Sequence, residues 1–218
     1  MASDTIQTGP VETPSPPSAR DRQAAAAKSR ICAAVIACLD ELGYAETSIN
    51  RIQERAKVSR GALTHHFPSK EDLIVETAAR LLHPALHPKQ RPADARPRTI
   101  EEELVWTWAR LVDTSEGRAL FEILAAARTD AALKVRISGR FKAWNDDLND
   151  VALKLFEAPA GDADARALWT ICRVFVRGLT VQKQFEKTEE DVEELVRRFA
   201  HLIAPHLSPR EPFKGDTG

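Results

Sequence analysis

The segment Thr47–Leu73 constrains the fold most, because it predicts two short helices separated by only three residues. The first helix spans about Ser48–Arg55, with good N-cap residues at its start and apolar residues at helical spacing. Ser59 is placed to cap the second helix, and Pro68 ends it. A connection this short makes the two helices cross steeply, so the second can lie in a DNA major groove.

The second predicted helix carries hydrogen-bond donors on the side away from its apolar residues. Arg60, Thr64 and His65 lie on this side, where Gly61 allows the backbone to approach a partner closely. The next helix begins in a sequence typical of a capping box, and Lys70 beside its free amides predicts a phosphate-binding position.

Several short motifs in this region resemble one known family. Gly43-Tyr44, Thr47-Ser48-Ile49, Val58-Ser59 and above all the run from Gly61 to Leu73, GALTHHFPSKEDL, closely resemble the DNA-binding region of TetR/AcrR-family transcriptional regulators. The resemblance covers about Arg30–Val75. The family usually has an aromatic residue, most often tyrosine, where this chain has Thr64, so a ring contact to DNA must here be shorter or absent.

The resemblance implies an all-α fold, with a three-helix helix-turn-helix domain followed by a six-helix ligand-binding and dimerisation domain. It also implies a homodimeric repressor that a small apolar or aromatic effector releases from a palindromic, double-stranded DNA operator. Transferred position by position, the residues expected to contact bases or phosphates are Thr47, Ser48, Ser59, Arg60, Gly61, Thr64, His65, His66 and Lys70.

The composition is that of a helical globular protein without a marked net charge. Of 218 residues, 43% are hydrophobic and 29% are charged, and the formal net charge is -1. The segment Arg20–Val75 holds nine Lys and Arg against seven Asp and Glu. This excess is small, so DNA affinity must come from residue placement and dimerisation rather than from bulk charge.

Three scattered cysteines and the lack of a signal-like or bilayer-length apolar run favour a cytoplasmic protein without membrane contact. Cys32 and Cys38 lie on one predicted helix, about 9 Å apart along its axis, which is too far for an unstrained disulfide. We expect these thiols to be buried as small hydrophobic groups. No cofactor is predicted.

Four segments are predicted along the chain. Residues 1–19 are rich in proline and are expected to be disordered, and residues 20–68 form the helix-turn-helix domain. Residues 69–207 form the helical body, and residues 208–218 form a flexible tail. His83 and His87 have the spacing of a helical metal site, but Pro84 between them predicts a loop, so no metal is expected.

The last two long helices have apolar residues on more than one side, which predicts packing against a second copy of the chain. TetR-like proteins dimerise through their last two helices, so the resemblance implies the same interface. The residues predicted for this interface are Leu168, Cys172, Phe175, Leu179, Leu195, Phe199 and Leu202.

All four tryptophans lie in the predicted body, where a pocket between helices would be apolar with few polar anchors. The pocket is predicted to be lined by aromatic residues, with an arginine as a possible partner for an anion. The predicted lining residues are Trp108, Phe121, Arg140, Phe141, Trp144 and Arg177.

Two other classes of function compete with this interpretation. One is an all-helical adaptor that does not bind DNA, for which Thr64 in the aromatic position is the one hint. The other is an enzyme that uses His65 and His66 as an acid/base pair, but the chain has no glycine-rich phosphate loop, catalytic triad spacing or metal cluster. The prediction is therefore a regulator and not an enzyme.

Overall fold

The computed structural model describes residues 18–82, 99–185 and 188–210. Within these ranges the chain forms nine α-helices and one pair of two-residue strands, which confirms the all-α fold class. The elements are α1 (Ala19–Glu46), α2 (Ile49–Ala56), α3 (Arg60–His66), α4 (Lys70–Leu81), α5 (Ile100–Thr107), a π-helical turn (Trp108–Val112), α6 (Ser115–Ala127), α7 (Ala131–Leu155), β1 (Phe156–Glu157), α8 (Asp162–Gln182), a 3-10 turn (Lys183–Phe185), α9 (Glu189–Ile203) and β2 (Ser208–Pro209).

The helix-turn-helix forms because each short helix has its own cap. The Ser48 hydroxyl accepts a hydrogen bond from the Arg51 amide at 3.4 Å, and the Ser59 hydroxyl accepts one from the Ala62 amide at 3.1 Å. Between α2 and α3, Lys57 takes a left-handed backbone conformation with a φ of 52°. This conformation is uncommon for a residue with a side chain, and it turns the chain sharply enough to set the two helices across each other.

Gly43 interrupts α1 with a φ of 74°, a conformation that favours glycine and breaks the regular helix at this residue. Thr47 closes the interrupted end, because its hydroxyl donates to the Gly43 carbonyl oxygen at 2.7 Å. The side chain of Thr47 is only 1% exposed.

The buried apolar residues form two clusters. The first cluster joins α1, α2, α3 and α4 to α6 and the start of α7. The second cluster joins α5, the end of α7, β1, α8 and α9. The division predicted after residue 68 therefore falls inside the first cluster, because α4 and α6 complete the hydrophobic core around helices α1 to α3, which we call the head.

The predicted flexible tail 208–218 begins with two residues that are in fact paired. Ser208 and Pro209 form β2, which runs antiparallel to β1. Arg210 donates its amide to the Leu155 carbonyl oxygen at 2.8 Å and forms an ion pair with Asp162. The structured chain thus extends to Arg210, whereas residues 211–218, like the predicted loop with His83 and His87, lie outside the described ranges.

Across residues 18–82, 99–185 and 188–210, no helix is both long and apolar enough to traverse a bilayer.

Candidate nucleic-acid interface and effector cavity

One face of α3 is open to solvent while the opposite face is buried. Leu63 is fully buried, and Phe67, which follows the helix, is 4% exposed. Arg60, Gly61, Thr64 and His65 are exposed, as the helical spacing predicts, and Ser48 and Ser59 are exposed at the helix starts. Ala62 is exposed as well.

Arg60 differs from the two arginines of α2 because it forms no ion pair with a carboxylate of the described residues. Arg51 pairs with Glu46 at 3.1 Å, and Arg55 pairs with Glu41, so the charges of both are already balanced. Among the residues that the structure describes, no carboxylate pairs with Arg60, so its charge is not balanced by an ion pair within this part of the chain.

Lys57 is a candidate contact that the sequence analysis did not single out. It is exposed in the turn beside α3, and no described carboxylate pairs with it. Its charge at the turn was visible in the sequence, but the left-handed backbone that presents it was not.

Two predicted DNA contacts are changed by the structure. Thr47 is buried and its hydroxyl is bonded to Gly43, so its side chain is not part of the exposed surface. The ammonium group of Lys70 donates to the Tyr44 carbonyl oxygen at 3.0 Å and lies 4.5 Å from the centre of the Tyr44 ring. Partial burial lowers the pKa of this ammonium group. Lys70 is thus half-buried as a structural contact between α1 and α4.

The exposed side chain of Thr64 is folded back on its own helix. Its hydroxyl lies 3.0 Å from the Arg60 carbonyl oxygen and 3.3 Å from that of Gly61. The hydroxyl proton is used within the helix, so the side chain presents its methyl group and oxygen lone pairs outward. His65 is exposed and His66 is half-buried, with their ring centres 5.3 Å apart. No group of three or more metal-ligating side chains occurs in the part of the chain that the structure describes.

A cavity of about 470 Å³ lies in the body, where the two hydrophobic clusters meet. Leu120 and Trp144 reach it from the first cluster, and Ala152 and Trp169 reach it from the second. Its volume is within the range of small-molecule sites. The other lining residues are Glu103, Trp106, Thr107, Arg110, Leu111, Val112, Thr114, Glu116, Gly117, Phe121, Leu148, Val151, Leu155, Arg173 and Arg177.

Three of the six predicted lining residues reach this cavity, namely Phe121, Trp144 and Arg177. Trp108 does not, because it packs with Leu104 in the second cluster and is 4% exposed. Arg140 is exposed on the surface of α7. Phe141 packs on the first cluster with its ring tilted against that of Trp144, 5.8 Å between the ring centres, and it does not line the cavity.

Trp169 and Arg173 are lining residues that the prediction missed. With Arg177 they recur every four residues along α8, which places all three on one helical face. This spacing was visible in the sequence and could have identified them. Burial lowers the pKa of Arg173 to about 10, and burial also lowers the pKa of Arg177.

Helix α6 connects the cavity to the head. Its residues Gly117 and Phe121 line the cavity. Arg118 donates to the two carboxylate oxygens of Asp40 on α1, at 2.5 and 3.1 Å. One turn later, Glu122 accepts a hydrogen bond from the Tyr44 amide at 2.9 Å.

A second link joins α4, which packs against the head, to α7 of the body. Asp72 on α4 pairs with Arg136 on α7 at 2.6 Å. Helix α4 thus connects head and body through this ion pair, in addition to the contacts of α6 with α1.

The exposed apolar residues of α8 form one stripe. Ile171, Val174 and Val181 are 51%, 61% and 48% exposed, and Phe185 in the following turn is 78% exposed. With Gly178 they alternate at spacings of three and four residues, the pattern of a helix that packs along another helix. Nothing lies within 4 Å of a side chain added at Gly178, so the middle of the stripe is open.

The predicted interface set is therefore offset from the exposed stripe. Cys172 and Leu179 are buried in the second cluster, and Leu168 and Phe175 are half-buried. Phe175 stacks on Phe199 of α9, with ring centres 3.9 Å apart. On α9, Leu195 and Phe199 are half-buried and Leu202 is 72% exposed.

Comparisons with known proteins all find similarity to transcriptional regulators. The profile described as "Bacterial regulatory proteins, tetR family" matches residues 31–77. The chain is 31% identical over 136 residues to Rv2912c of Mycobacterium tuberculosis H37Rv, named as an uncharacterized HTH-type transcriptional regulator. This match covers 58% of the chain and 66% of the relative, which is just under two thirds of the relative's own length.

Two further similarities extend over most of the chain. It is 27% identical over 170 residues to the HTH-type transcriptional regulator CymR of Pseudomonas putida, covering 76% of this chain and 83% of the relative. The crystal structure of a TetR transcription regulator from Haloarcula marismortui superposes with a TM-score of 0.59 at 21% identity, over 84% of this chain and 100% of that chain. At that identity, the structural likeness concerns the fold.

Proposed function

Because the chain belongs to the TetR family of DNA-binding transcriptional regulators, we propose that it is a homodimeric repressor that releases its operator when a small apolar or aromatic molecule enters the cavity. Members of this family are not enzymes, so the acid/base interpretation of His65 and His66 is rejected. The observation that carries the proposal is the position of the cavity against α6, the helix that is bonded to the head through Asp40 and Tyr44.

DNA recognition is assigned to the exposed face of α3. Arg60 and His65 supply donors for base edges, and Gly61 lets the backbone approach the groove. Ser48, Ser59, His66 and the newly identified Lys57 are positioned at the rim, where they would hold phosphates. Thr64 contributes its methyl group, which suits apolar contact with a thymine methyl.

Dimerisation is assigned to the exposed stripe of α8 together with Leu202 of α9. Exposed apolar side chains at Ile171, Val174, Val181 and Phe185 are costly in water, and a second copy would cover them. A two-fold dimer would present two copies of α3 to half-sites about one helical turn of DNA apart.

Release follows from displacement of α6. A ligand that contacts Phe121 and Gly117 favours one position of this helix. The hydrogen bonds of Arg118 and Glu122 to α1 then transmit the displacement to the head. The effector shifts the DNA equilibrium only by the difference of its affinities for the two positions, and a coupling of about 1–3 kcal/mol gives a 5- to 150-fold change. Repression requires nothing further, because a dimer bound at a promoter blocks access to it.

The test is selection of DNA ligands from a random pool with the full chain, followed by gel-shift titration of the selected duplex. The Arg60→Ala variant should bind it about tenfold or more weakly and lose sequence preference. Lys154→Ala is the matched control, because Lys154 is an exposed cation at the body end of α7.

Failure to select any sequence would refute the proposal and favour the adaptor interpretation. A transcription reporter carrying the selected operator then distinguishes repression from activation, and a rise in reporter output on protein binding would refute the repressor role.

A further inference from the structure

Two donors on the α8 residues that line the cavity have no hydrogen-bond partner among the residues that the structure describes. Arg173 is 9% exposed and Trp169 is 7% exposed, and both line the cavity. Within the residues the structure describes, Arg173 Nε and Trp169 Nε1 are buried and have no hydrogen-bond partner. Buried donors in folded proteins are paired in the great majority of cases, so these two retain the capacity to bind an acceptor that a ligand would bring.

The remaining nitrogens of Arg173 are held in place by neutral groups. Nη1 donates to Asn145 Oδ1 at 2.8 Å, and Nη2 donates to Asn149 Oδ1 at 2.8 Å and to the Thr170 hydroxyl oxygen at 3.3 Å. These contacts fix the orientation of the guanidinium group before a ligand arrives. They leave its charge uncompensated, because amide and hydroxyl oxygens carry no net charge.

Arg177 adds a second cation one helical turn along α8. Its guanidinium carbon lies 5.4 Å from the centre of the Trp144 ring, which is a favourable cation–π distance. No described carboxylate forms an ion pair with Arg173 or Arg177. The two glutamates that line the cavity, Glu103 and Glu116, belong to α5 and α6 on other walls, and the third lining arginine, Arg110, is exposed.

The rest of the wall is apolar and aromatic. Trp106, Phe121 and Trp144 contribute rings, and aliphatic residues of α7 complete the surface. Such a wall binds an apolar body, whereas the α8 face requires an acceptor with negative charge.

We propose that the cavity selects a small organic acid, with an aromatic or apolar body among these rings and a carboxylate on Arg173, Arg177 and Trp169 Nε1. This inference rests on the proposed function only in taking the cavity as the effector site. A guanidinium group and a carboxylate match in planar geometry, and burial strengthens the charge-assisted hydrogen bonds between them.

The experiment uses matched sets of aromatic acid, primary amide and primary amine on the same ring systems, for example 2-naphthoate, 2-naphthamide and 2-naphthylmethylamine. Binding to the full-length protein is measured by quenching of tryptophan fluorescence and by calorimetry. In at least one set, the acid should bind about 10- to 100-fold more tightly than the amide, and the amine should bind least. The proposal is overturned if, in every set, the acid binds no more tightly than its amide or does not bind at all.

Variants then locate the carboxylate. Arg173→Gln and Arg177→Gln should each lower acid affinity about tenfold or more while leaving amide affinity within about twofold. Arg140→Gln is the matched control, because it removes an exposed arginine outside the cavity. Trp169→Phe removes the Nε1 donor together with part of the ring volume, keeps a ring to stack on Phe156, and should weaken acid binding several-fold. If circular dichroism shows that Arg173→Gln unfolds at a lower temperature than the wild-type protein, the acid affinity of Arg177→Gln decides the test. Unchanged acid selectivity in the folded variants overturns the assignment.

Gel-shift of the selected operator separates this inference from the proposed function. Acid binding that depends on Arg173 or Arg177 without release of DNA supports the acid site and refutes the effector role. Release by a neutral or cationic compound that binds the cavity, with no binding of acids, supports the effector role and refutes the acid site.

Discussion

The ion pair between Asp40 on α1 and Arg118 on α6 should respond unequally to removal of its two partners. The side chain of Asp40 is 13% exposed, whereas that of Arg118 is 37% exposed. Replacing Arg118 by Met leaves a largely buried carboxylate without its counter-charge, which should cost about 2–3 kcal/mol. Replacing Asp40 by Asn leaves a more exposed guanidinium that keeps its 3.0 Å contact with Asp113, so the cost should be about 1 kcal/mol.

The pH dependence provides a second measurement of the same pair. The hydrogen bond from Arg118 lowers the pKa of Asp40 in the folded protein. A carboxylate with a lowered folded pKa contributes stability that is fully present above its unfolded pKa, about 3.9, and is lost as the pH falls through the folded pKa. The penalty of Arg118→Met should therefore be full at pH 7 and smaller at about pH 4, because protonated Asp40 no longer needs a counter-charge.

Urea unfolding of the full chain at fixed protomer concentration measures these differences, since the stability of the proposed dimer would depend on concentration. The control pair is Lys142 and Asp146 on α7, whose side chains are 79% and 53% exposed. Lys142→Met and Asp146→Asn should each change stability by less than about 0.5 kcal/mol. An Asp40→Asn cost equal to or above that of Arg118→Met, or additive effects in the double variant, would refute this account of the head-to-body contact.

Three further predictions concern the exposed stripe of α8, the close approach at Gly117, and the buried thiols. Val174→Glu should give a monomer in sedimentation velocity, because it places a charge in the exposed stripe, whereas Val135→Glu, at an exposed apolar position on α7, should stay dimeric. If both variants stay dimeric, the stripe is not the interface. Gly117→Ala should lower the melting temperature, with a cost of about 2 kcal/mol or more, because its Cβ would lie 2.3 Å from backbone oxygens of the π-helical turn. Gly139→Ala, with nothing within 4 Å, should be neutral or stabilising by up to about 1 kcal/mol, and equal melting temperatures for the two variants would contradict the close approach. The thiols should resist a thiol reagent at about pH 8 and react in urea, because burial raises their pKa values, that of Cys172 to about 12. Fast labelling of a thiol in the native protein would argue against this burial.

Helix boundaries were largely readable from the sequence, because local capping chemistry sets them. Thr99 and Thr188 begin their helices with capping boxes, whose acidic partner stands three residues later in the sequence, and Gly43 interrupts α1 with a backbone conformation that glycine favours. These signals act over a few residues and need no tertiary context. The pairing of β1 with β2 joins segments about fifty residues apart, and no local signal indicates it.

The orientation of each helix was less predictable. Helix α8 is apolar on several faces, and its buried stripe with Cys172 is offset by only one residue from its exposed stripe with Val174. Periodicity alone therefore did not distinguish the two stripes. Along α5 and the π-helical turn that continues it, Leu104 and Trp108 are buried in the second cluster, whereas Trp106 lies on another face and lines the cavity. The sequence locates these tryptophans on one helix, but only the packing of neighbouring helices decides which ring meets a ligand.

The location of the cavity between two hydrophobic clusters has a mechanical consequence. Close-packed interiors resist deformation, so a cavity inside a single core would exclude a ligand or force side chains to rearrange around it. A cavity at the boundary of two cores can change width while each core keeps its own packing, as in hinge and shear motions between rigid bodies. Under the proposed release mechanism, a ligand in the space beside α6 would set the separation of the two clusters, and helices α1 to α4, which pack in the first cluster, would move with that cluster.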